Sequence, residues 1–353
     1  MKEKVLLGMS GGVDSSVSAI LLQKQGYEVV GATMRLWESE DQASASICDA
    51  QKVCKKLGIE HYVVDLRCEF RKRVIDNFVD AYENAKTPNP CIECNKYMKF
   101  DAFYNIAQEL NCKYIATGHY AKIEYSNEYN QYVLKKSLAE AKDQTYFLYR
   151  INKKILPYVI FPLADFTNKV EIRKIAEENG LEVAQKRDSQ EVCFIPNNNY
   201  IEFIKSYSNS VHTQSGNIVL KDGTILGKHN GLINYTIGQR KGLGISYKEP
   251  LYVIKLDKEK NEVVVGVEKD LYSKELKANE LNFLIDMERL MGAEETAEIK
   301  AKVRYRSKEA DTILKLEGNL AKLEFKEPQR AITSGQSVVF YKNDVVLGGG
   351  KII

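Results

Sequence analysis

The stretch Gly8-Met9-Ser10-Gly11-Gly12-Val13-Asp14-Ser15-Ser16 constrains this chain more than any other. Val5-Leu6-Leu7 before it is a short apolar run of the kind that forms a buried strand. Val13, Val17, Ile20 and Leu21 after it recur at helical spacing. The stretch is therefore a strand-to-helix turn. Ser10, Gly11 and Gly12 let the backbone approach a bulky anion because little side chain stands in the way. The unpaired N–H groups of the first helical turn then face that anion, and the helix dipole favours its charge. Ser15 and Ser16 add hydroxyl donors. No Gly-Lys-Ser/Thr follows, so this is not a Walker loop. A turn that binds nothing is the competing reading, and Ser-Gly-Gly with Asp-Ser-Ser at this spacing weighs against it.

Strand and helix patterns alternate beyond the loop. Residues 27–34 and 61–66 read as strands. Ala50, Val53, Cys54 and Leu57 share a helix face that ends at Gly58, which makes Cys54 a core residue. Phe70, Val74, Phe78 and Tyr82 share a longer face, opposite a basic cluster of Arg67, Arg71, Lys72 and Arg73 that is a solvated surface by default. Thr87-Pro88-Asn89-Pro90-Cys91-Ile92-Glu93-Cys94-Asn95 carries two closely spaced prolines and reads as a stiff loop. A helix resumes through Phe100, Phe103, Ala107 and Leu110, and residues 114–117 form a strand ending in Gly118-His119. This alternation predicts an α/β domain with a parallel sheet and right-handed crossovers, whose ligands sit at the carboxyl ends of the strands. The loop of Gly8 to Ser16 and Gly118-His119 both lie at such ends. Residues 121–136 read as an excursion hairpin, and Asn168 with Glu171 as a helix cap. Glycines become frequent after Ser206, and strand-like alternation returns near Lys277. The expected division is a catalytic domain at 1–205, a small β-rich domain at 206–276, and a β-barrel or compact β-sandwich at 277–353.

The 353 residues suit two or three domains, and a net charge of +3 does not by itself imply a nucleic-acid partner. No apolar run approaches the ~20 residues of a membrane span. Seven cysteines, an odd number, and no secretory h-region at the N-terminus predict a reducing, cytoplasmic setting. Cys91 and Cys94 then have three readings. Structural zinc needs four ligands, and no second Cys-x-x-Cys or histidine pair accompanies them. Plain loop cysteines would be an oxidation liability. Working sulfur, as a low-pKa thiolate, disulfide or persulfide, gains weight if another cysteine lies on a polar segment. Cys193, after Asp188-Ser189-Gln190-Glu191, does. Spacing alone does not bring Cys193 to Cys94.

The N-terminal loop looks like the pyrophosphate-binding loop, Ser-Gly-Gly-x-Asp-Ser, of ATP pyrophosphatases. Ser10-Gly11-Gly12-Val13-Asp14-Ser15, Asn89-Pro90 with Cys94-Asn95, Thr117-Gly118-His119-Tyr120, Asp143-Gln144, Asp188 to Phe194 and Thr236 to Gly242 occur in that order. Together they closely resemble the bacterial tRNA-uridine 2-sulfurtransferases (MnmA-type 2-thiouridylases) over nearly the whole chain. The resemblance implies an adenine-nucleotide α-hydrolase-like, Rossmann-like sheet with a PP-loop. It implies that ATP, with Mg2+, adenylates the C2 oxygen of the wobble uridine of tRNA, and that sulfur from a cysteine persulfide then replaces that oxygen. By motif, Cys193 carries the persulfide and Cys94 is the nucleophile that pairs with it. Gly8, Met9, Ser10, Gly11, Gly12, Val13, Asp14, Ser15, Met34 and Gly118 hold ATP. Asn89, Pro90, Cys91 and His119 face the target base, and Lys142, Asp143, Gln144, Arg304, Tyr305 and Gln336 touch tRNA. The partners implied are tRNA and a sulfur-donor protein, a cysteine desulfurase or sulfur-relay protein, serving a cytoplasmic monomer away from membranes.

The chemistry has a physical logic. A uridine carbonyl oxygen is a poor leaving group, and adenylation corrects that, so an ATP loop and sulfur-bearing cysteines belong in one protein. The chain departs from the family at Cys91, where many relatives have an aspartate proposed as general acid/base. Three thiolates at Cys91, Cys94 and Cys193 offer an alternative, an iron–sulfur cluster with one open iron that delivers sulfide. In residues 300–308 every even position is basic, and on a strand this places Lys300, Lys302, Arg304, Arg306 and Lys308 on one face. That ridge suits a phosphate backbone, or it is the charge that protects an edge strand. A ligase acting on a small molecule would leave the cysteines idle. A non-catalytic RNA-binding protein would leave the ATP loop idle.

Overall fold

The structure, a computed structural model, describes residues 2–37, 40–186, 192–208, 214–287, 290–291 and 296–353. The segment begins with β1 (Lys4–Gly8), α1 (Val13–Lys24), β2 (Glu28–Arg35), α2 (Glu40–Leu57) and β3 (Glu60–Asp65). A helical passage follows, made of α3 (Arg67–Phe70), a π-helical turn (Arg71–Ile75) and α4 (Asp76–Glu83). After the prolines come α5 (Pro90–Cys94), a second π-helical stretch (Asn95–Ala102) and α6 (Phe103–Glu109). The chain continues through β4 (Tyr114–Ala116), the hairpin β5 (Lys122–Ser126) and β6 (Gln131–Lys135), β7 (Val159–Ile160), α7 (Lys169–Glu178) and α8 (Tyr200–Tyr207).

β1, β2, β3, β4 and β7 form a five-stranded parallel sheet in the order β3-β2-β1-β4-β7. Val5, Leu6 and Leu7 are fully buried because helices cover both faces of the strand. The connection reverses direction between β1 and β4, so a crevice opens at their carboxyl ends, the switch point where such sheets bind ligands.

The middle segment contains β8 (Gly216–Leu220), β9 (Ile225–His229), β10 (Tyr252–Asp257) and β11 (Glu262–Gly266), paired in the order β10-β11-β8-β9. The last segment contains β12 (Tyr272–Phe283), β13 (Thr296–Lys302), β14 (Ala310–Glu317), β15 (Leu320–Arg330), β16 (Ser337–Lys342) and β17 (Val345–Ile352). These pair in the order β12-β15-β14-β13-β16-β17, and β12 returns to β17, closing a six-stranded barrel. The excursion hairpin is not free-standing: Lys135 of β6 pairs with Val345 of β17, so β5 and β6 extend the barrel's sheet. Among the described residues no helix is long and apolar enough to cross a membrane.

Two local expectations change. The Cys-x-x-Cys pair lies on a helical turn, not a loop. Asn89 is its N-cap and accepts from the Cys91 N–H at 3.2 Å, and Pro90 occupies the first helical position, where its missing N–H costs nothing. The basic ridge does not exist as one strand face, because β13 ends at Lys302. Ser307 accepts from the Arg304 N–H and donates back to the Arg304 carbonyl, and this local turn competes with further pairing. Val303 still packs into the barrel core, as do Ile299 and Ala301.

Two polar clusters tie the domains together. Glu93, between the two cysteines, pairs with Arg150, and both side chains are nearly inaccessible. Lys351 of the barrel lies 3.9 Å from the same carboxylate. Arg304 donates to the Ile237 carbonyl of the middle segment at 3.3 Å, and to the Ala331 carbonyl at 2.6 Å and the Thr333 hydroxyl at 2.5 Å in the barrel. Arg150→Met is expected to destabilise the protein by about 3–5 kcal/mol in denaturant melts, because it leaves Glu93 buried and poorly compensated.

Candidate active site

The anion loop has the form its composition requires. Gly11 has φ +67°, a left-handed conformation, and a Cβ there would lie 2.5 Å from the Ser46 carbonyl oxygen. Gly12 caps α1 without a side-chain acceptor, so no side chain occupies the first N–H groups of the helix. The hydroxyls fold inward: Ser15 Oγ lies 3.2 Å from Ser10 Oγ and donates to the Gly12 carbonyl at 3.1 Å, as Ser16 does at 2.8 Å.

The loop meets the end of β4. A Cβ on Gly118 would stand 3.0 Å from the Asp14 carbonyl carbon and 3.1 Å from the Ser15 nitrogen. A Cβ on Gly8 would touch Met34 and Thr117, each at 3.7 Å. Gly8 to Ser15, Met34 and Gly118 therefore surround one crevice. Asp14 is held by the Tyr120 hydroxyl at 2.9 Å and by Lys169 at 2.9 Å. Lys186 bridges the Gly11 carbonyl and Asp49. Lys169 and Lys186 escaped the sequence reading because each is one lysine among many. Only the return of α7 and the segment after it to the loop singles them out.

The three thiols lie near one another and near Lys99. Cys94 is buried beside Phe70, Val74, Met98 and Phe194, and burial pushes its thiol up to about 12. Cys91 and Cys193 are reached by solvent, yet desolvation raises both. Each of Cys91 and Cys193 also raises Cys94 by charge repulsion, so the three sulfurs are electrostatic neighbours. Lys99 opposes the rise at all three. Phe194 delivers Cys193 here: its ring is fully buried, 5.6 Å from Phe70, 5.4 Å from Phe78, 5.3 Å from Phe203 and 6.4 Å from Trp37. Arg187, Asp188, Ser189, Gln190 and Glu191 lie outside the described residues.

His119 stands between Phe100 and Phe161, with Nδ1 2.8 Å from the Thr117 hydroxyl. Burial, then the charge of Lys99, lowers its pKa well below the ordinary imidazole value, so the ring is neutral at physiological pH. Among the described residues no group of three or more His, Cys, Asp or Glu side chains is disposed to hold a metal ion. The three thiols are neighbours but do not form a cluster cage as placed.

The residues assigned to tRNA by resemblance separate into two sets. Lys142 is exposed, and Tyr305 lies half-buried against Phe147 with ring centroids 4.4 Å apart. Asp143 is buried, accepts from the Thr145 hydroxyl at 2.6 Å, and has its carboxyl pushed up by desolvation. Gln144 exchanges two hydrogen bonds with the Tyr120 backbone. Gln336 donates to the carbonyls of Thr87 at 2.8 Å and Pro88 at 3.4 Å, and Arg304 is committed to the carbonyls and hydroxyl named above. Asn89 and Pro90 share a small cleft with Gly335 and Lys351 of the barrel.

Three family profiles match the chain in succession: "tRNA methyl transferase HUP domain" over 3–197, "tRNA methyl transferase PRC-barrel domain" over 201–267, and "Aminomethyltransferase beta-barrel domain" over 273–352. A "tRNA-specific 2-thiouridylase MnmA" of Acetivibrio thermocellus is 48% identical, covering 99% of each chain. One of Clostridioides difficile is 46% identical, covering 100% of this chain and 98% of that one. A solved structure described as a 4-thiouridine synthetase–RNA complex with bound ATP aligns at 23% identity and TM-score 0.35, over 58% of this chain and 50% of that one.

Gly118→Ala is expected to weaken ATP binding by about tenfold, measured by calorimetry, with the circular dichroism unchanged. The added methyl presses on the backbone from which the first N–H groups of α1 point, an overpacking of ~1–3 kcal/mol.

Proposed function

The chain belongs to the tRNA-specific 2-thiouridylase family, and from that membership we propose that it catalyses ATP-dependent 2-thiolation of the wobble uridine of tRNA. What supports the reading is that the three thiols influence one another electrostatically, that Lys99 acts on them and on the neutral His119, and that Gly118 beside His119 packs on the anion loop. The methyl-transfer wording of two of the family profiles leaves both the loop and the thiols without a task.

ATP enters with its Mg2+ and lies along Gly8 to Ser15, Met34 and Gly118. The target base leaves its stack and sits by Asn89, Pro90, Cys91 and His119. The uridine C2 oxygen attacks the α-phosphorus, the α–β bond breaks, and pyrophosphate departs. Cys193, loaded by a cysteine desulfurase or relay protein, presents a persulfide. Its terminal sulfur attacks C2, and AMP leaves with the C–O electron pair. The Cys94 thiolate then attacks Cys193 Sγ. The bond to the terminal sulfur breaks toward the base, leaving 2-thiouridine and a Cys94–Cys193 disulfide, which a dithiol reductant reopens.

Segment 1–205 is the catalytic domain in this reading, and 206–276 with 277–353 grip the tRNA of a monomeric cytoplasmic enzyme. Lys142, Gln144 and Tyr305 present atoms to the RNA. Asp143, Arg304 and Gln336 hold that surface from within.

Cys193→Ser and Cys94→Ser are each expected to abolish 2-thiouridine in digested tRNA, read by mass spectrometry, while tRNA-dependent pyrophosphate release persists. Thiolated tRNA at the wild-type level from either variant overturns the assignment. Pyrophosphate release driven by a small molecule in place of tRNA overturns the substrate. Anaerobically purified protein is expected to carry no iron; a brown protein with about four irons per chain would transfer the sulfur step to a cluster.

A further inference from the structure

Lys99 belongs to no motif noted in the sequence, and its position follows from an irregularity of the helix that carries it. Residues Asn95–Ala102 are π-helical, with hydrogen bonds from i to i+5, so side chains five apart come to one face. Lys96 and Asp101 demonstrate this, with Nζ and Oδ2 3.3 Å apart. Cys94 and Lys99 have the same separation. In an α-helix, residue 99 would lie on a different side from residue 94, because neighbours there are three or four apart. Such π-turns concentrate at functional sites.

Lys99 lies close enough to act electrostatically on groups from three parts of the chain. Cys91 and Cys94 are on the preceding turn, Cys193 arrives on the segment anchored by Phe194, and His119 arrives at the end of β4. The ring of Phe100, the next residue, lies 6.1 Å from that of His119. Lys99 is half-buried, and among the described residues it has no carboxylate within ion-pair distance. Lysines nearby are otherwise committed: Lys96 to Asp101, Lys169 to Asp14, Lys186 to Asp49. Lys99 is the one charged side chain, among the described residues, that acts on all three thiols and on His119.

We propose that Lys99 is the standing cation of the sulfur site, a positioning residue that holds negative charge on the sulfurs of Cys91, Cys94 and Cys193 while sulfur is received and passed on. The proposal deepens the thiolation reading and rests on it for its purpose. An anionic sulfur is the competent nucleophile, and a desolvated wall disfavours the anion. A cation held at this face, with no carboxylate paired to it among the described residues, offsets that penalty, and with His119 neutral the charge is left to Lys99.

The test reads charge at sulfur directly, without tRNA or ATP, so it stands or falls apart from the thiolation assignment. The full-length protein is alkylated at neutral pH with iodoacetamide, which is neutral, or iodoacetate, which is anionic, and each cysteine is followed by peptide mass spectrometry. In the wild type, Cys91 and Cys193 are expected to favour iodoacetate over iodoacetamide relative to the exposed Cys48 and Cys68. Lys99→Met is expected to reduce that preference by about five- to tenfold, and Lys99→Arg to restore it, with Cys48 and Cys68 unmoved. An unchanged preference in Lys99→Met overturns the proposal. If Lys99→Met makes the buried Cys54 reactive, the fold is lost and the wild-type comparison decides. Equal preference at Cys193, Cys91 and Cys48 then overturns it.

Discussion

Burial of the Phe194 ring is the interaction on which the site depends. The ring sits in an aromatic cage built from α3, α4, α8 and Trp37, and burial of a side chain this size contributes about 1.5–3 kcal/mol. Edge-to-face packing on several rings adds specificity. Cys193 directly precedes Phe194, so this anchored ring fixes where Cys193 lies. Because the cage is also the wall behind Cys94, the same apolar surface that fixes the geometry desolvates the sulfur. Precision and reactivity are opposed here, and the cation at Lys99 relieves the conflict.

The barrel is part of the site's construction. Thr87 donates to the Ser334 carbonyl at 3.0 Å, Gln336 takes the carbonyls of Thr87 and Pro88, and Arg150 neutralises Glu93 between the cysteines. The loop of Ser334 and Gln336 thus holds the proline segment from the side of the C-terminal domain, and Arg150, which also lies 3.6 Å from Glu280 of β12, links the cysteine turn to the barrel.

Much of this was legible in the residues. The apolar run before the loop, the serine and glycine spacing, and the alternation of strand and helix all express local preferences, and the sheet followed them. Cys54 was correctly read as core from helix periodicity. The basic run at 300–308 was misread because alternation in sequence is necessary for a strand face but not sufficient. Ser307 offered the backbone a local turn, and Arg304 found carbonyl partners from distant segments. The cysteine turn was read as a loop because two prolines usually break helices, whereas Pro90 at the first helical position starts one.

What the sequence determined by itself was whatever depends on neighbours along the chain: the anion loop, the parallel sheet, the strand-rich C-terminal half, and, through motif resemblance, the family. Only the tertiary structure decided that Cys193 joins Cys91 and Cys94, that Lys169 reaches Asp14, and that Gln336 and Arg304 brace the interior. Those contacts join residues far apart in the chain, and their geometry is set by the burial of aromatic and apolar surface that no local window records. The place of Lys99 lies between these cases, since a single π-turn rotates it toward the sulfurs and packing decides whether that turn forms.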